Sequence, residues 1–148
     1  MSNYLLDTNI LLRSRDIASP DCHLVNQTIK YLISQGHQLF ITSQIIIEFW
    51  VVATRPVAVN GLGWTVEETK QAVQMLINQF ELLEETPDVF PIWLRLVTTY
   101  NISGKRSHDI RILAVMLAHN ISNILTLNPK DFVAVQGITI IHPNSINS

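Results

Sequence analysis

The sequence predicts an α/β fold, a mostly parallel central sheet flanked by helices, and three observations carry that expectation. Short apolar runs recur along the chain (Tyr4-Leu5-Leu6, Leu39-Phe40-Ile41, Ile124-Leu125) at the length of buried strands. Stretches with helical periodicity separate them. Polar, helix-starting residues follow the runs at once, as Asp7-Thr8 and Thr42-Ser43 do. Strands alternating with helices through right-handed crossovers make a parallel sheet.

Taken in order, Tyr4-Leu5-Leu6 reads as the first strand, and Ile10-Leu11-Leu12 as part of a helix starting near Thr8. Ser19-Pro20-Asp21 is a break. Leu24, Val25, Thr28, Ile29, Leu32 and Ile33 then recur at helical spacing over residues 22–35, and Gly36 closes that helix. Gln38–Thr42 is a second strand. Ser43 is the expected N-cap of a helix to about Ala53, apolar almost all round and therefore buried on most sides or shared with a partner.

Arg55-Pro56 stops this helix, and a Gly-containing loop spans residues 57–64. Thr65-Val66-Glu67-Glu68 is a capping-box pattern, opening a helix to about Phe80 with Val66, Val73, Leu76, Ile77 and Phe80 inward. Residues 81–85 suit a short edge strand. Thr86-Pro87-Asp88 opens a helix with Ile92, Trp93, Leu96 and Val97 on its apolar face, and a polar loop over residues 101–106 carries Lys105-Arg106. Ser107-His108-Asp109 begins a further helix that Asn120 ends. Residues 124–126 and 138–141 are the remaining strands, and residues 143–148 are expected to be a loose tail.

The 148 residues suit a single domain over 1–148, 47% hydrophobic and 15% charged. No apolar run reaches the roughly 18 residues of a membrane span, and no signal peptide is evident. The lone Cys22 makes no internal disulfide, which fits a reducing cytoplasm. A net charge of −2 gives no global attraction for nucleic acid, so any such chemistry rests on local basic residues or bound cations.

The acids are the candidates for chemistry. Asp7 follows a strand, Glu48 lies early in a helix after a strand, Asp109 opens a helix, and Asn128 and Asp131 follow another strand. A parallel sheet brings these positions toward the edge where ligands collect. Each has a plainer reading: Asp7 as a helix cap, Glu48 on a solvent stripe, Asp109 as a favourable charge at a helix start. His108 reads more readily as a structural hydrogen-bonder than as a general base. Clustered carboxylates repel one another, and such a cluster persists when divalent cations neutralise it. Oxygen-only ligands select Mg²⁺ or Mn²⁺ over Zn²⁺, and no Cys/His set has zinc spacing. Without a Walker loop, a dinucleotide turn or a nucleophile elbow, metal-assisted phosphodiester chemistry is the natural use of the cluster.

Four pieces of the chain resemble the PIN-domain family, most of all its VapC-type toxins. They are Leu6-Asp7-Thr8-Asn9-Ile10-Leu11, Thr42-Ser43 followed by Glu48, His108-Asp109, and the run from Ile124-Leu125-Thr126 through Asn128-Pro129-Lys130-Asp131-Phe132. The resemblance implies a PIN-like three-layer fold and Mg²⁺- or Mn²⁺-dependent endoribonuclease activity leaving 5′-phosphate and 3′-hydroxyl ends. It further implies an antitoxin partner and frequent homodimers.

Carried over by residue, Asp7, Glu48 and Asp109 match the acidic metal positions. Thr8 matches a hydroxyl supporting the first acid, and Ser43 a similar supporting role. The fourth position is Asn128 or Asp131, with Asn128 favoured because Pro129 biases it toward extended backbone near the sheet edge. Lys105, Arg106, Arg13 and Arg15 are the candidates for steering RNA. Two other classes compete: a non-catalytic PIN-like binding module, and a phosphoaspartyl phosphatase or receiver, for which Asn9 stands where the phosphatase wants a second Asp.

Overall fold

The computed structural model describes residues 2–146. Its centre is a five-stranded sheet of β1 (Asn3–Leu6), β2 (Gln38–Thr42), β3 (Glu81–Leu83), β4 (Asn123–Leu125) and β5 (Thr139–Ile141). The strand order is β3-β2-β1-β4-β5, and every pairing is parallel. Seven α-helices among the described residues accompany it: α1 (Thr8–Arg15), α2 (Cys22–Ser34), α3 (Ser43–Thr54), α4 (Val66–Gln79), α5 (Val89–Thr99), α6 (Arg106–Ala118) and α7 (Pro143–Ile146). Two short 3-10 turns, Val57–Val59 and Pro129–Asp131, complete the fold. The expected α/β class and the edge position of residues 81–83 are what the chain forms.

This strand order fixes where a site belongs. From β1 the chain builds outward through β2 and β3, then returns to the other side of β1 with β4 and β5. The direction reverses between β1 and β4, and parallel sheets open a crevice at the carboxyl ends of the strands on either side of such a reversal. β1 lies in the middle of the sheet, with Leu5 and Leu6 fully buried. Pairing of Leu6 with Leu125 brings the ends of β1 and β4 together.

One core joins the layers, built on Leu5, Ile10, Leu11, Ile41, Ile45, Phe49, Leu113 and Ile124 among others. α5 packs mainly on α6, while α1 packs on both α2 and α3. The capping box is present in full: the Thr65 hydroxyl accepts from the Glu68 N–H, and the Glu68 carboxylate accepts from the Thr65 N–H.

Four expectations change. The N-cap of α3 is Thr42, whose hydroxyl accepts from Ile45 N–H at 3.2 Å, and Ser43 is already helical. The fully buried Thr42 can turn its hydroxyl onto the helix end, which satisfies an otherwise unpaired N–H. α4 buries Thr69, Ala72, Leu76 and the following Phe80, while Val66 and Ile77 face solvent. Of the two readings of α3, buried on most sides or shared with a partner, the first does not hold, because Ile47 and Val51 are more than half exposed. Pro143–Ile146 is a helical turn packed against α2 rather than a loose tail, and residues 147 and 148 lie outside the described residues.

The loop after α3 turns back on that helix. N–H groups of Leu62, Gly63 and Trp64 donate to the carbonyls of Val52, Arg55 and Ala53, pairing groups a helix end leaves open. The return is close enough that a Cβ at Gly61 would stand 1.9 Å from the Arg55 carbonyl oxygen, so only glycine fits.

Candidate active site

Asp7 is where the site is built. Its N–H donates to Leu125 O at 3.0 Å, extending the β1–β4 pairing by one bond and fixing the residue at the crevice. It is also the N-cap of α1, with Oδ1 accepting from Thr8 N–H at 2.8 Å. The plainer reading of Asp7 as a helix cap therefore holds, and the cap position leaves the residue at the concavity. Oδ2 accepts from the Thr126 hydroxyl at 2.8 Å and from Asn9 Nδ2 at 3.3 Å.

Thr126 is fully buried and uses all its capacity, donating to Asp7 and accepting from Asn9 Nδ2 and Asn128 N–H. Asn9 Oδ1 accepts in turn from Leu127 N–H at 3.0 Å. The ends of two strands more than a hundred residues apart in sequence are thus tied by one carboxylate, one hydroxyl and one amide.

Glu48 reaches the same concavity from α3. The Thr8 hydroxyl donates to Oε2 at 2.9 Å and Gln44 Nε2 to Oε1 at 3.0 Å. Gln44, itself buried, also donates to the His108 carbonyl at 2.7 Å, which clamps the start of α6 against α3. Asp109 lies in the first turn of α6, and Asp131 closes the Pro129–Asp131 turn. Asp7, Thr8, Asn9, Leu12, Glu48, Asp109, Asp131 and Phe132 line one concavity of about 190 Å³.

Burial and like charge act together here. Asp7 is 8% exposed, and its carboxyl is raised from 3.8 to about 6. Burial is the main cause; bonds from Thr126 and Thr8 oppose it, and the Glu48 and Asp109 charges add to it. Asp109 is also raised, by burial first and then by Glu48 and Asp131, against the pull of Arg106 and His108. All four carboxylates are oxygen donors, and no Cys or His lines the concavity. Among the described residues no group of three or more His, Cys, Asp or Glu side chains is arranged to hold a metal ion unaided. An all-oxygen donor set of this kind suits a hard cation that keeps several waters, as Mg²⁺ does.

The structure brings Asp7, Glu48, Asp109 and Asp131 together and leaves Asn128 out of the lining. The extended backbone expected at Asn128 is not what forms. Its φ of −125° and ψ of 71° are not extended, its N–H turns onto Thr126, and the following 3-10 turn carries Asp131 back to the crevice. The Thr8 hydroxyl supports Glu48 rather than Asp7, whose oxygen takes the Thr8 N–H instead. Ser43 bonds none of the acids; Gln44, one residue on, does.

Of the basic residues, Arg106 acts on Asp109. Arg13 pairs with Asp16 at 3.0 Å, and Arg15 lines a separate hollow with Trp64 and Met75 at the far end of α1. Lys105 is exposed just before α6. The phosphoaspartyl reading loses ground, since Asn9, standing where the phosphatase wants a second Asp, is spent on holding the strand ends. Asn9, Gln44 and Thr126 are the supporting residues that sequence reasoning missed.

The sequence model described as PIN domain matches residues 4–138. The chain belongs to the PIN-domain family. Solved structures share the fold of this PIN domain. A chain of the VapBC2 complex from Rickettsia felis, bound to a DNA fragment from its promoter, has a TM-score of 0.72 at 16% identity, covering 95% of this chain and 98% of that one. VapBC-1 from nontypeable Haemophilus influenzae gives 0.70 at 18%, over 96% and 98%. VapC20 of Mycobacterium tuberculosis, described as a Sarcin-Ricin loop cleaving toxin, gives 0.56 at 16%, over 82% and 86%. No curated protein matches the chain.

The raised Asp7 carboxyl makes the metal-free PIN domain pH-dependent in a defined sense. The folded state holds its proton to higher pH than the unfolded chain does, so this group's contribution to stability falls as pH rises from about 4 to about 6 and then levels off. The loss is about 3 kcal/mol at neutral pH, of which about 1 kcal/mol accrues between pH 5 and pH 7. In urea unfolding with chelator present, the stability of Asp7→Asn should gain on that of wild type by this amount over the interval. Parallel pH profiles for the two proteins would refute the burial argument.

Proposed function

We propose that this PIN domain is a VapC-type endoribonuclease dependent on Mg²⁺ or Mn²⁺, hydrolysing RNA phosphodiester bonds to leave 5′-phosphate and 3′-hydroxyl ends. In this reading it is the toxin of a type II toxin–antitoxin pair, acting in the cytoplasm and inhibited by a cognate antitoxin. One observation carries the reading. Asp7, Glu48 and Asp109, from three separate elements and joined by Asp131, face one concavity at the β1–β4 reversal, although burial and mutual repulsion raise two of them. A fold has no structural use for that repulsion, and a divalent cation removes it. The shared fold with a toxin described as cleaving the Sarcin-Ricin loop supports RNA as the substrate.

A divalent cation held by Asp7, Glu48, Asp109 and Asp131, directly or through waters, would supply an activated water and a counter-charge for the scissile phosphate. The chain's own contributions are positional. Thr126, Thr8 N–H and Asn9 hold the Asp7 carboxylate in one orientation, and Thr8 and Gln44 do the same for Glu48. Arg106, next to Asp109 in charge space and exposed, meets the incoming phosphate backbone.

Asp7→Asn and Asp109→Asn should each lower Mn²⁺-dependent cleavage of mixed single-stranded RNA by about a hundredfold or more while leaving the circular dichroism spectrum unchanged. Near wild-type cleavage by either folded variant defeats the mechanism.

The fourth position is tested by binding. Calorimetric titration of Mn²⁺ should show clear weakening in Asp131→Asn and little change in Asn128→Ala; the opposite pattern would return the role to Asn128.

The homodimer rests on the exposed apolar residues Ile47 and Val51 of α3, one helical turn apart. Light scattering should give a dimer that Ile47→Lys weakens. A monomeric wild type would leave this face to another protein.

A further inference from the structure

The acids do not account for a second hollow, larger than the one they line. A pocket of about 580 Å³ lies between the β3–α5 connection and the start of α6, within the size range of small-molecule and nucleotide sites. Its floor is apolar, with Phe90 and Trp93 stacked at 5.8 Å between ring centroids and 25° between planes. Trp93 is locked by a 2.8 Å bond from its indole N–H to the Ser107 carbonyl. Phe90 is 65% exposed, an aromatic face offered to solvent. Polar groups line it too: the Arg111 guanidinium, ion-paired with Glu85, and the His108 ring.

This pocket and the acid site share a wall. Successive residues of an α-helix are turned by about 100°. His108 and Arg111 therefore fall on neighbouring directions of α6, and Asp109 points away from both. One face of the first turn serves the acids and the other serves the pocket. Gln44 couples them directly: its Nε2 holds Glu48 and the His108 carbonyl, and its Oε1 accepts from Arg111 at 3.4 Å.

We propose that the Phe90–Trp93 pocket binds one unpaired base of the RNA strand whose phosphate enters the acid site. The inference rests on the ribonuclease reading and adds to it a place where sequence is read. An unstacked base presents a π face and a hydrogen-bonding edge, and single-stranded RNA is recognised by stacking that face on aromatic side chains. Phe90 supplies the platform. Arg111 and Glu85 supply a donor and an acceptor for the edge, the pairing chemistry by which Arg reads guanine and Glu reads an exocyclic amine. Exposed Lys105 and Arg106, at the start of α6, carry the cationic charge that the backbone on either side of such a base requires. An aromatic side chain from a protein partner is the competing occupant, and it has no need of paired charges in the lining.

The test is anisotropy of a labelled mixed-sequence oligoribonucleotide against the full chain in chelator, so that binding is read apart from cleavage. Phe90→Ala should weaken binding ~5- to 100-fold and Phe90→Tyr should keep it, as expected when a π face is the contact. An abasic residue walked along the oligonucleotide should cause the same loss at one position in wild type and no further loss in Phe90→Ala. Wild-type binding by Phe90→Ala, or abasic and Phe90→Ala losses that simply multiply, overturns the proposal and leaves the pocket to a protein segment. A chain that binds as described yet cuts no RNA with Mn²⁺ overturns the ribonuclease reading alone.

Discussion

The contact between the Thr126 hydroxyl and the Asp7 carboxylate is the constraint on which the rest of the molecule depends. A carboxylate at the end of a central strand, with almost no exposed surface, is costly unless its oxygens are bonded. Thr126 and the Thr8 N–H meet most of that demand. Because Thr126 terminates β4 and Asp7 terminates β1, satisfying the charge also sets the register of the two strands that flank the reversal in the sheet. Fold and site are therefore one problem here. The same bonds that orient the acid hold the central strands side by side, and its remaining electrostatic cost is what the proposed cation would remove.

Much of this was legible in the sequence, for reasons that differ by element. The strands were readable because parallel strands covered on both faces are short unbroken apolar runs, as Leu39-Phe40-Ile41 is. Asp7, Glu48 and Asp109 stood out because each follows a strand end or opens a helix, where topology concentrates ligands. The inward face of α4 was misread because its small residues are the buried ones. Thr69 bonds its hydroxyl to the Thr65 carbonyl and fits the core, whereas Val66 and Ile77 obey the same period one position out of phase.

Apart from Thr8, the supporting residues were not legible. Asn9 and Thr126 bond across a sequence separation of 117, and Gln44 reaches His108 across 64. No local pattern marks an Asn, a Gln or a Thr for such a task, since each is equally at home in a turn or on a surface. Asp131 was readable only as one of two candidates. The placement turned on how the chain leaves β4, and the short 3-10 turn is what carries Asp131 into the lining.

The loop that returns onto the end of α3 has a consequence for molecular association. Three of its N–H groups are spent on carbonyls at the end of α3 and Gly61 is seated against Arg55, so Val57 and Val59, both more than half exposed, are displayed from a braced turn. A surface already held in shape loses little conformational entropy when it is covered, and the immobilisation of flexible groups is a large share of what opposes binding. Whatever covers that face meets it rigid, so its affinity is set by fit and slow release more than by any rearrangement of this chain.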